Sequence, residues 1–215
     1  PPCADLIIKS GIKKVVIGCV DVNEVVAGRG VERLKNAGCE VVVGVLENEC
    51  KVHHKRFFTF YTKKRPYIIL KWAQTIDGYI APKHREKQAP VWITKKTSRQ
   101  LVHKWRSEEH SILVGTTTVL DDNPSLGVRS WKGENPLRIV IDKDLKIPKE
   151  LKVYDGSVKT IFINQKVTTH NENLFFEKIN FQEPIAYQVC KVLFKHKIQS
   201  LIVEGGRKTI QTFID

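Results

Sequence analysis

The sequence predicts an α/β protein in which helices cover parallel strands, and three observations support this class. Short apolar runs such as 111–115 have the length and composition of buried strands. Amphipathic segments of helical length lie between these runs, which is the pattern of parallel sheets. The step Arg65-Pro66 interrupts the pattern, because proline ends a helix. We therefore expect two parts, residues 1–62 and residues 66–215.

The first part has the order helix, strand, helix, strand. The expected elements are helices over 4–11 and 28–38 and strands over 13–19 and 40–46. Gly38 stands where a helix C-cap favours glycine. The amphipathic segment 47–65 predicts a further helix that connects the two parts.

The second part begins a new α/β unit. We expect strands over 66–75, 111–115, 137–142, 159–164 and 200–204. We expect helices over 94–107 and 184–197 and a further helix from Gly205, with a short helix before the turn at 121–126. Thr94 is the expected N-cap of the helix over 94–107.

Composition restricts the class of protein. The 215 residues carry a formal net charge of +13, but the lysines are spread along the chain. This distribution favours a solvated surface with some attraction for phosphorylated small molecules. Residues 51–66 interleave basic and aromatic side chains, as stacking platforms for single-stranded nucleic acid do. Without an accompanying nucleic-acid motif, we favour a connecting helix with its aromatic rings in the core.

Location follows from what the sequence lacks. No apolar run is long enough to span a bilayer, and no segment resembles a signal peptide. The five cysteines are scattered and odd in number, which favours a reducing cytoplasm over a disulfide framework. Methionine is absent and the last helical pattern stops at Asp215, so we expect a piece of a longer protein.

Cys3 is a candidate for chemistry in the first part. It follows two prolines and begins an amphipathic run, so it is expected at a helix N-terminus, where thiolate is favoured over thiol. That position suits a metal ligand or a nucleophile. A zinc site at His53, His54 and Cys50 is not favoured by their spacing.

Four features of the second part could bind a phosphorylated ligand. The segment EGGRKT (204–209) joins a strand to a helix through two glycines, which exposes backbone N–H groups to an anion or serves steric needs alone. Lys71 lies within an expected strand, where it needs a partner or a cleft unless the position faces solvent or lies at the sheet edge. Arg106 and Arg129 are candidates for a phosphate clamp, although each is also an ordinary surface residue type.

Together these motifs resemble the bifunctional deaminase/reductase family of riboflavin biosynthesis. The first part carries PPCADLIIKSGIKKVVIG, then Asp21 and Asn23, then VAGRGVERLKNAGCEV. The second part carries LKWAQTIDG, WIT, SILVG, TVLDDNPSLGVR, RIVID and VEGG in the family's order. The resemblance implies a remnant of a cytidine-deaminase-like domain followed by a dihydrofolate-reductase-like reductase domain whose C-terminal end is missing.

The resemblance gives Cys3 a role as the last of three zinc ligands in the deaminase domain. Zinc there would activate the water that attacks the pyrimidine ring. The residues for the other two ligands and the proton shuttle lie upstream in the family, so the fragment is not expected to deaminate alone.

For the second part the resemblance implies NADPH-dependent reduction of the ribosyl group of 5-amino-6-(5-phosphoribosylamino)uracil. The residues implied on the cofactor side are Ala73, Trp92, Thr94, Thr118, Asp122, Gly205 and Gly206. Those implied on the substrate side are Arg106, Leu126, Arg129 and Glu204, with both arginines on the phosphate. The candidate catalytic residues are Asp122, Lys71 and Glu204; Asp122 ranks ahead of Lys71 for proton handling.

One segment departs from the family pattern. The family has a serine two places before the tryptophan of W-I-T, whereas Pro90 stands there in a longer segment, so a hydroxyl contact is lost or replaced. His84 or the nearby lysines could compensate. The family also implies a homo-oligomer, a dimer or larger. Two alternatives remain: a single-function reductase on a related substrate, and a basic nucleic-acid-binding module.

Overall fold

The computed structural model describes residues 3–23, 26, 28–82, 84 and 87–214. The chain divides into two compact units, Pro1–Arg65 and Pro66–Asp215. Among the described residues, no helix has both the length and the apolar content to cross a bilayer.

The first unit has a two-stranded parallel sheet, with Lys14 paired with Glu40 and Ile17 paired with Val43. Its elements are α1 (Cys3–Lys9), β1 (Lys14–Ile17), α2 (Arg29–Asn36), β2 (Glu40–Val43), α3 (Glu47–His53) and α4 (Lys55–Lys63). Gly38 has φ +84 just after α2, the left-handed conformation that the sequence predicted for a C-cap glycine. The expected order of helix and strand is therefore present.

The expected single helix over 47–65 is wrong, because it is two helices that meet at His54. His54 has φ −97° and ψ 24°, which interrupts the α-helical backbone between α3 and α4. Phe60 is buried on α4, and the Phe57 ring lies 4.7 Å from that of Tyr61. The aromatic rings of this segment thus pack on one another.

The second unit has a seven-stranded sheet in the order β3-β9-β4-β5-β6-β8-β7. The strands are β3 (Tyr67–Leu70), β4 (Ser111–Gly115), β5 (Leu137–Ile141), β6 (Thr160–Asn164), β7 (Thr169–Asn171), β8 (Leu174–Lys178) and β9 (Ser200–Val203). All neighbours are parallel except β7 and β8, which are antiparallel. The last strand in sequence, β9, is inserted between the first two.

Helices cover both faces of this sheet. They are α5 (Lys96–Glu108), α6 (Thr116–Asp122), α7 (Ile185–Lys195) and α8 (Arg207–Thr212), with a 3₁₀ turn at Lys152–Tyr154. Leu113 of β4 packs in a cluster that includes Leu193 of α7 and Ile210 of α8. Its neighbour Val114 packs in a second cluster with Val119 of α6. Because successive residues of a strand face opposite sides, two core layers result, and the central strands are mostly apolar and buried.

The predicted α/β class and the parallel sheet are confirmed, with local corrections. β3 ends at Leu70, so Lys71 lies just after the strand and not within it. The N-cap of α5 is Lys95 and not Thr94, and no side chain caps that helix end. The hairpin of β7 and β8 was not expected from the sequence.

Candidate active site

The candidate site lies at the carboxyl edge of β3, β9 and β4. Val203 of β9 pairs with Leu70 of β3 and with Leu113 of β4, so the three strands end together. The Lys71 backbone N–H donates to the Val203 carbonyl at 3.0 Å, and the Glu204 N–H donates to the Leu113 carbonyl at 2.9 Å. Because these strands are parallel, the residues that follow them emerge at one edge, where open α/β sheets bind ligands.

Three charged side chains meet at this edge. Glu204 accepts hydrogen bonds from Arg106, with Nε 3.1 Å from Oε1 and Nη2 2.8 Å from Oε2. Lys71 donates from Nζ to Oε2 at 3.5 Å. The side chains of Glu204, Arg106 and Lys71 are 8%, 12% and 24% exposed. We call these three residues the edge cluster; it joins positions 133 and 98 residues apart.

The edge cluster fixes the charge of its carboxyl group. Burial alone would raise the pKa of Glu204, but the Arg106 guanidinium and the Lys71 ammonium outweigh it and hold that pKa below its ordinary value. Glu204 is therefore a carboxylate at neutral pH, a hydrogen-bond acceptor and not a proton donor. Two cations around one carboxylate leave the cluster with a positive charge.

The loop after α6 returns to the edge cluster. The Gly127 carbonyl accepts a hydrogen bond from Arg106 Nη1 at 3.1 Å. Asn123 and Leu126 have left-handed backbones with φ 38 and φ 57, so the chain turns sharply at both residues. Leu126 is 3% exposed and packs in the core beneath the loop, while Arg129 is exposed at its far end.

The two arginines predicted as a phosphate clamp have different surroundings. The Arg106 guanidinium is held by Glu204 and Gly127, whereas the Arg129 side chain is exposed. Both nevertheless act on one group, because burial, then Arg106, then Arg129 lower the pKa of His103. The structure thus brings the arginines to the same region, and their joint role on a phosphate stays a prediction.

The turn at Gly205–Gly206 lies directly after Glu204. A Cβ atom built on Gly205 would be 2.4 Å from Thr209 Cβ, and one on Gly115 would be 2.5 Å from Thr209 Oγ1. These two glycines are therefore needed for close packing around Thr209. Gly206 is exposed, and its backbone N–H donates to Thr118 Oγ1 at 3.1 Å. The turn and α6 are joined by this contact.

Asp122 is the last residue of α6 and lies one helical turn after Thr118. Side chains four apart share a helix face, so Asp122 lies on the face that meets the Gly206 turn. Ala73 is half-buried two residues beyond Lys71. The predicted cofactor residues therefore lie on α6, on the Gly205–Gly206 turn and on the segment that follows β3.

Trp92 and Thr94 lie on the segment that leads into α5, and both are exposed. The Arg99 guanidinium carbon lies 4.3 Å from the centroid of the Trp92 ring, which leaves that ring half-covered. Pro90, at the position of the family serine, is exposed, and Gln88 Nε2 donates to the Leu120 carbonyl at 2.7 Å. That contact holds part of the segment before Trp92, the one that departs from the family pattern, against α6.

The structure does not describe every residue of this segment before Trp92. Residues 83, 85 and 86 lie outside the described residues, so the lysine at 83 proposed to compensate for the lost serine lies there too. His84 is described and exposed. Its compensating role stays a prediction.

Cys3 is exposed at the first residue of α1. Pro1 and Pro2 lie outside the described residues. Within the described ranges, no three His, Cys, Asp or Glu side chains lie together as a metal site needs. The role of Cys3 as a zinc ligand stays a prediction.

Sequence reasoning missed two parts of the site. It did not connect Arg106 and Lys71 through Glu204, because that contact depends on the insertion of β9 between β3 and β4. It also missed His103, whose Nδ1 lies 3.1 Å from the Gly127 carbonyl oxygen. The spacing of His103 and Arg106 was a signal, because residues three apart share a helix face.

Comparison with known proteins gives the family. Residues 66–215 match the model of the RibD C-terminal domain. The chain belongs to the RibD C-terminal domain family. Riboflavin biosynthesis protein RibD of Aquifex aeolicus is 42% identical across the whole chain, which covers 61% of that relative. The chain thus spans about three fifths of that relative's length.

Two solved structures resemble the whole chain. One is a diaminohydroxyphosphoribosylaminopyrimidine deaminase/5-amino-6-(5-phosphoribosylamino)uracil reductase from Thermotoga maritima, with 39% identity and a TM-score of 0.87. The other is RibD of Acinetobacter baumannii, with 27% identity and a TM-score of 0.85. The chain is covered completely in both comparisons and spans 60% of each of those chains. The predicted resemblance to this family is confirmed.

Proposed function

We propose that the second unit reduces the ribosyl group of 5-amino-6-(5-phosphoribosylamino)uracil to a ribityl chain with NADPH, as a step of riboflavin synthesis. The Thermotoga maritima relative carries the name of this reductase activity. The observation that carries the proposal is the edge cluster of Lys71, Glu204 and Arg106, which lies directly before the Gly205–Gly206 turn. It places a fixed carboxylate and an ammonium where open α/β sheets bind ligands.

The reaction needs a hydride and a proton. The sugar ring opens to an imine at C1′, the hydride adds to C1′, and one proton is taken up, so that substrate, NADPH and a proton give the ribityl product and NADP⁺. Bound NADPH supplies the hydride. The side chains have to orient the sugar, deliver the proton and exclude water.

We infer from the edge cluster which side chain performs each task. Glu204 is held as a carboxylate, so it accepts hydrogen bonds from ribosyl hydroxyl groups and orients the sugar. Lys71 carries three donors, of which one is directed at Glu204, so its ammonium can give a proton to the opening sugar. Asp122, on the α6 face toward the turn, ranks ahead of Lys71 from the sequence, whereas the contact between Lys71 and Glu204 leads us to propose Lys71 first and Asp122 second.

The residues present fit NADPH. The crevice edge offers an exposed backbone turn at Gly206, followed by Arg207 and Lys208, which are exposed basic side chains. Cationic side chains beside exposed backbone N–H groups suit a pyrophosphate. Trp92 offers a half-exposed ring at the start of the same unit. Gly205, Gly206 and Thr118 would hold the phosphates, and Ala73, Trp92, Thr94 and Asp122 would line the nicotinamide side.

The substrate phosphate would be bound by the loop after α6. Arg129 is exposed at the end of that loop, and its planar guanidinium suits a phosphate. Arg106 donates two hydrogen bonds to Glu204 and one to the Gly127 carbonyl, so it would bind the phosphate through its charge and its remaining N–H groups. The Leu126 side chain is buried in the core, so its contact with the substrate would come from its backbone.

The test measures NADPH oxidation by the full chain with 5-amino-6-(5-phosphoribosylamino)uracil. Lys71→Gln should lower kcat about 100-fold, because general acid catalysis contributes on that scale. Lys195→Gln is the matched control, since Lys195 also lies beside a glutamate, 3.4 Å from Glu177 Oε1, but at α7. Full turnover in Lys71→Gln, or equal losses in both variants, would contradict the role of Lys71.

For the first unit we propose the end of a zinc-dependent deaminase, coupled to the reductase in the longer protein. The support is that the Thermotoga maritima deaminase/reductase aligns with this unit as well as with the second. In the full-length protein, Cys3→Ser should remove zinc and deamination and leave reduction intact. Cys39→Ser is the control, because Cys39 already donates to the Ile12 carbonyl at 3.2 Å. Full zinc content in Cys3→Ser would reject the assignment.

The remaining features of the proposal concern the whole molecule. We propose a cytoplasmic homo-oligomer, a dimer or larger, on the basis of the scattered cysteines and the family. The aromatic rings within residues 51–66 contact one another, which leaves less ring surface for stacking on bases. This disfavours the nucleic-acid alternative. A single-function reductase would differ in lacking zinc in the full-length protein.

A further inference from the structure

His103 is the one buried side chain of α5, and it lies between that helix and the loop after α6. It is 7% exposed, three residues before Arg106 on the same helix face. The loop is the one that carries Leu126 and Arg129. No part of the proposed function above uses this histidine.

The His103 ring has two polar contacts with the loop, and both involve Nδ1. Nδ1 lies 3.1 Å from the Gly127 carbonyl oxygen and 3.2 Å from the backbone nitrogen of Arg129. One nitrogen cannot both donate to a carbonyl and accept from an amide, so these two contacts exclude each other as simultaneous hydrogen bonds.

The surrounding hydrogen bonds decide between the two contacts. The Gly127 carbonyl already accepts from Arg106 Nη1 at 3.1 Å. The Arg129 N–H is directed at Nδ1. The tautomer with its proton on Nε2 therefore provides a partner for both loop groups: Gly127 bonds to Arg106, and Arg129 bonds to His103.

The loop needs such restraints because its backbone is unusual. Asn123 and Leu126 both have positive φ, which L side chains rarely adopt and which persists only when neighbours fix it. Further contacts hold its two ends, since Asn123 Oδ1 accepts from the Lys152 N–H and Asn135 Oδ1 accepts from the Val128 N–H. His103 restrains the next residue, Arg129.

We propose that neutral His103 is a positioning residue, which holds the Arg129 backbone through Nδ1 and so sets Arg129 for the substrate's phosphate. This inference rests on the proposed function for its substrate, although its structural part does not. His103 touches neither cofactor nor substrate in this account, and it acts only through Arg129. A compound with a sugar phosphate, such as ribose 5-phosphate, should therefore report on it.

The charges around His103 keep it neutral. Burial, Arg106 and Arg129 lower its pKa, while the Gly127 carbonyl and Glu204 act in the opposite direction and are outweighed. Protonation at Nδ1 would replace the acceptor of the Arg129 N–H with a donor. Binding of the phosphate should thus weaken as the pH falls through the His103 titration.

The experiment compares His103→Leu, His103→Asn and the unaltered full chain. The Asn side-chain oxygen occupies a position close to that of Nδ1, so it can accept the Arg129 N–H. We expect His103→Leu to raise the KM of the phosphorylated substrate and the Kd of ribose 5-phosphate about 10-fold, the scale of one lost hydrogen bond. The kcat and the Kd of NADPH should change less than the KM does. His103→Asn should restore the KM and leave only the rise at acidic pH that titration of the phosphate itself causes.

His110→Leu is the matched control. His110 Nδ1 accepts the Gln199 N–H at 3.3 Å, beside the amino end of β4, far along the strand from the candidate site. It should lower stability without changing the KM. A His103→Leu variant that folds and keeps the KM and the Kd of ribose 5-phosphate would overturn the proposal, as would equal changes in His103→Leu and His110→Leu.

A measurement on the unaltered chain covers the case in which His103→Leu fails to fold. Hydrogen exchange at the Arg129 amide should accelerate as His103 protonates, whereas the Val128 amide, held by Asn135, should not follow the same titration. An Arg129 amide whose exchange ignores the His103 titration would overturn the proposal. If instead the unaltered chain neither binds NADPH nor reduces the substrate, the proposed function fails and the amide result still decides the role of His103.

Discussion

Replacing Glu204 by glutamine tests the edge cluster. Glu204 is 8% exposed and makes two hydrogen bonds with Arg106 and one with Lys71. The Glu204→Gln variant leaves the Arg106 guanidinium, which is 12% exposed, without its counter-charge. Removing one partner of a buried ion pair costs about 3–5 kcal/mol. We expect the lower value, because Lys71 is 24% exposed and can turn to water.

That loss has a thermal and a spectroscopic consequence. For a chain of this size about 3 kcal/mol corresponds to a fall in Tm of roughly 6–12 °C. All four tryptophans, at positions 72, 92, 105 and 131, lie in the second unit. Urea unfolding followed by tryptophan fluorescence therefore measures the free energy of unfolding of the unit that holds the cluster.

The pH dependence separates charge from packing. The folded-state pKa of Glu204 lies below its ordinary value of 4.5, so the stabilisation is complete above that value and is lost as the pH falls through the folded-state pKa. The difference in unfolding free energy between the unaltered chain and Glu204→Gln should therefore be full at pH 7 and shrink in acid.

The control for this prediction is Glu108→Gln. Glu108 pairs with Lys104 at 3.8 Å, with side chains 48% and 43% exposed, so its removal should have little effect. A Glu204→Gln variant as stable as Glu108→Gln, or a difference that stays constant from neutral to acidic pH, would refute the account of the edge cluster.

Three further predictions concern other residues of the second unit. Asp122→Asn should lower turnover and leave the Kd of NADPH nearly unchanged; unchanged turnover would reject Asp122 as a proton-handling residue. Gly205→Ala should lower the free energy of unfolding by about 1–3 kcal/mol, because its Cβ would lie 2.4 Å from Thr209 Cβ. Gly206→Ala should leave that free energy almost unchanged, and equal losses in the two variants would contradict the packing around Thr209. Burial, and to a lesser extent a neighbouring carboxylate, raise the pKa of Tyr154 to about 12, so the stabilisation linked to its neutral form is lost between pH 10 and pH 12. The free energy of unfolding of the unaltered chain should therefore fall by about 1 kcal/mol by pH 11 relative to that of Tyr154→Phe. A difference between the two that stays constant with pH would contradict this.

The sequence was most informative where apolar runs were long and both faces of the sheet are covered. β4 has the predicted bounds, 111–115, and β5 and β9 differ by one residue at the end. Strands buried on two sides are continuous apolar runs, which are easy to recognise. The hairpin of β7 and β8 was missed, because β7 is the edge strand and its residues Thr169–Asn171 are exposed and polar.

The break between α3 and α4 could not be predicted for a different reason. His54 is neither glycine nor proline, and the segment around it keeps helical periodicity. Tertiary packing decides such a break, since local propensity is only a weak guide. The end of β3 at Leu70 is similar, because the apolar residues Trp72 and Ala73 follow Lys71 and prolong the pattern of a strand.

The candidate site could be predicted only residue by residue. Lys71, Arg106 and Glu204 were each chosen from the sequence, but their contact depends on the strand order β3-β9-β4. Strand order is a tertiary property, which periodicity does not determine. His103 was missed because a single histidine on an amphipathic helix is ordinary until the loop after α6 is placed against it.

The most direct test of the central claim follows the hydride. The full chain would be incubated with 5-amino-6-(5-phosphoribosylamino)uracil and NADPH that carries deuterium at both C4 positions of the nicotinamide, and the product analysed by mass spectrometry and proton NMR. The account predicts one deuterium at C1′ of a newly formed ribityl chain, and about 100-fold slower formation of that product in Lys71→Gln. A substrate recovered unreduced, or a product without deuterium at C1′, would contradict it.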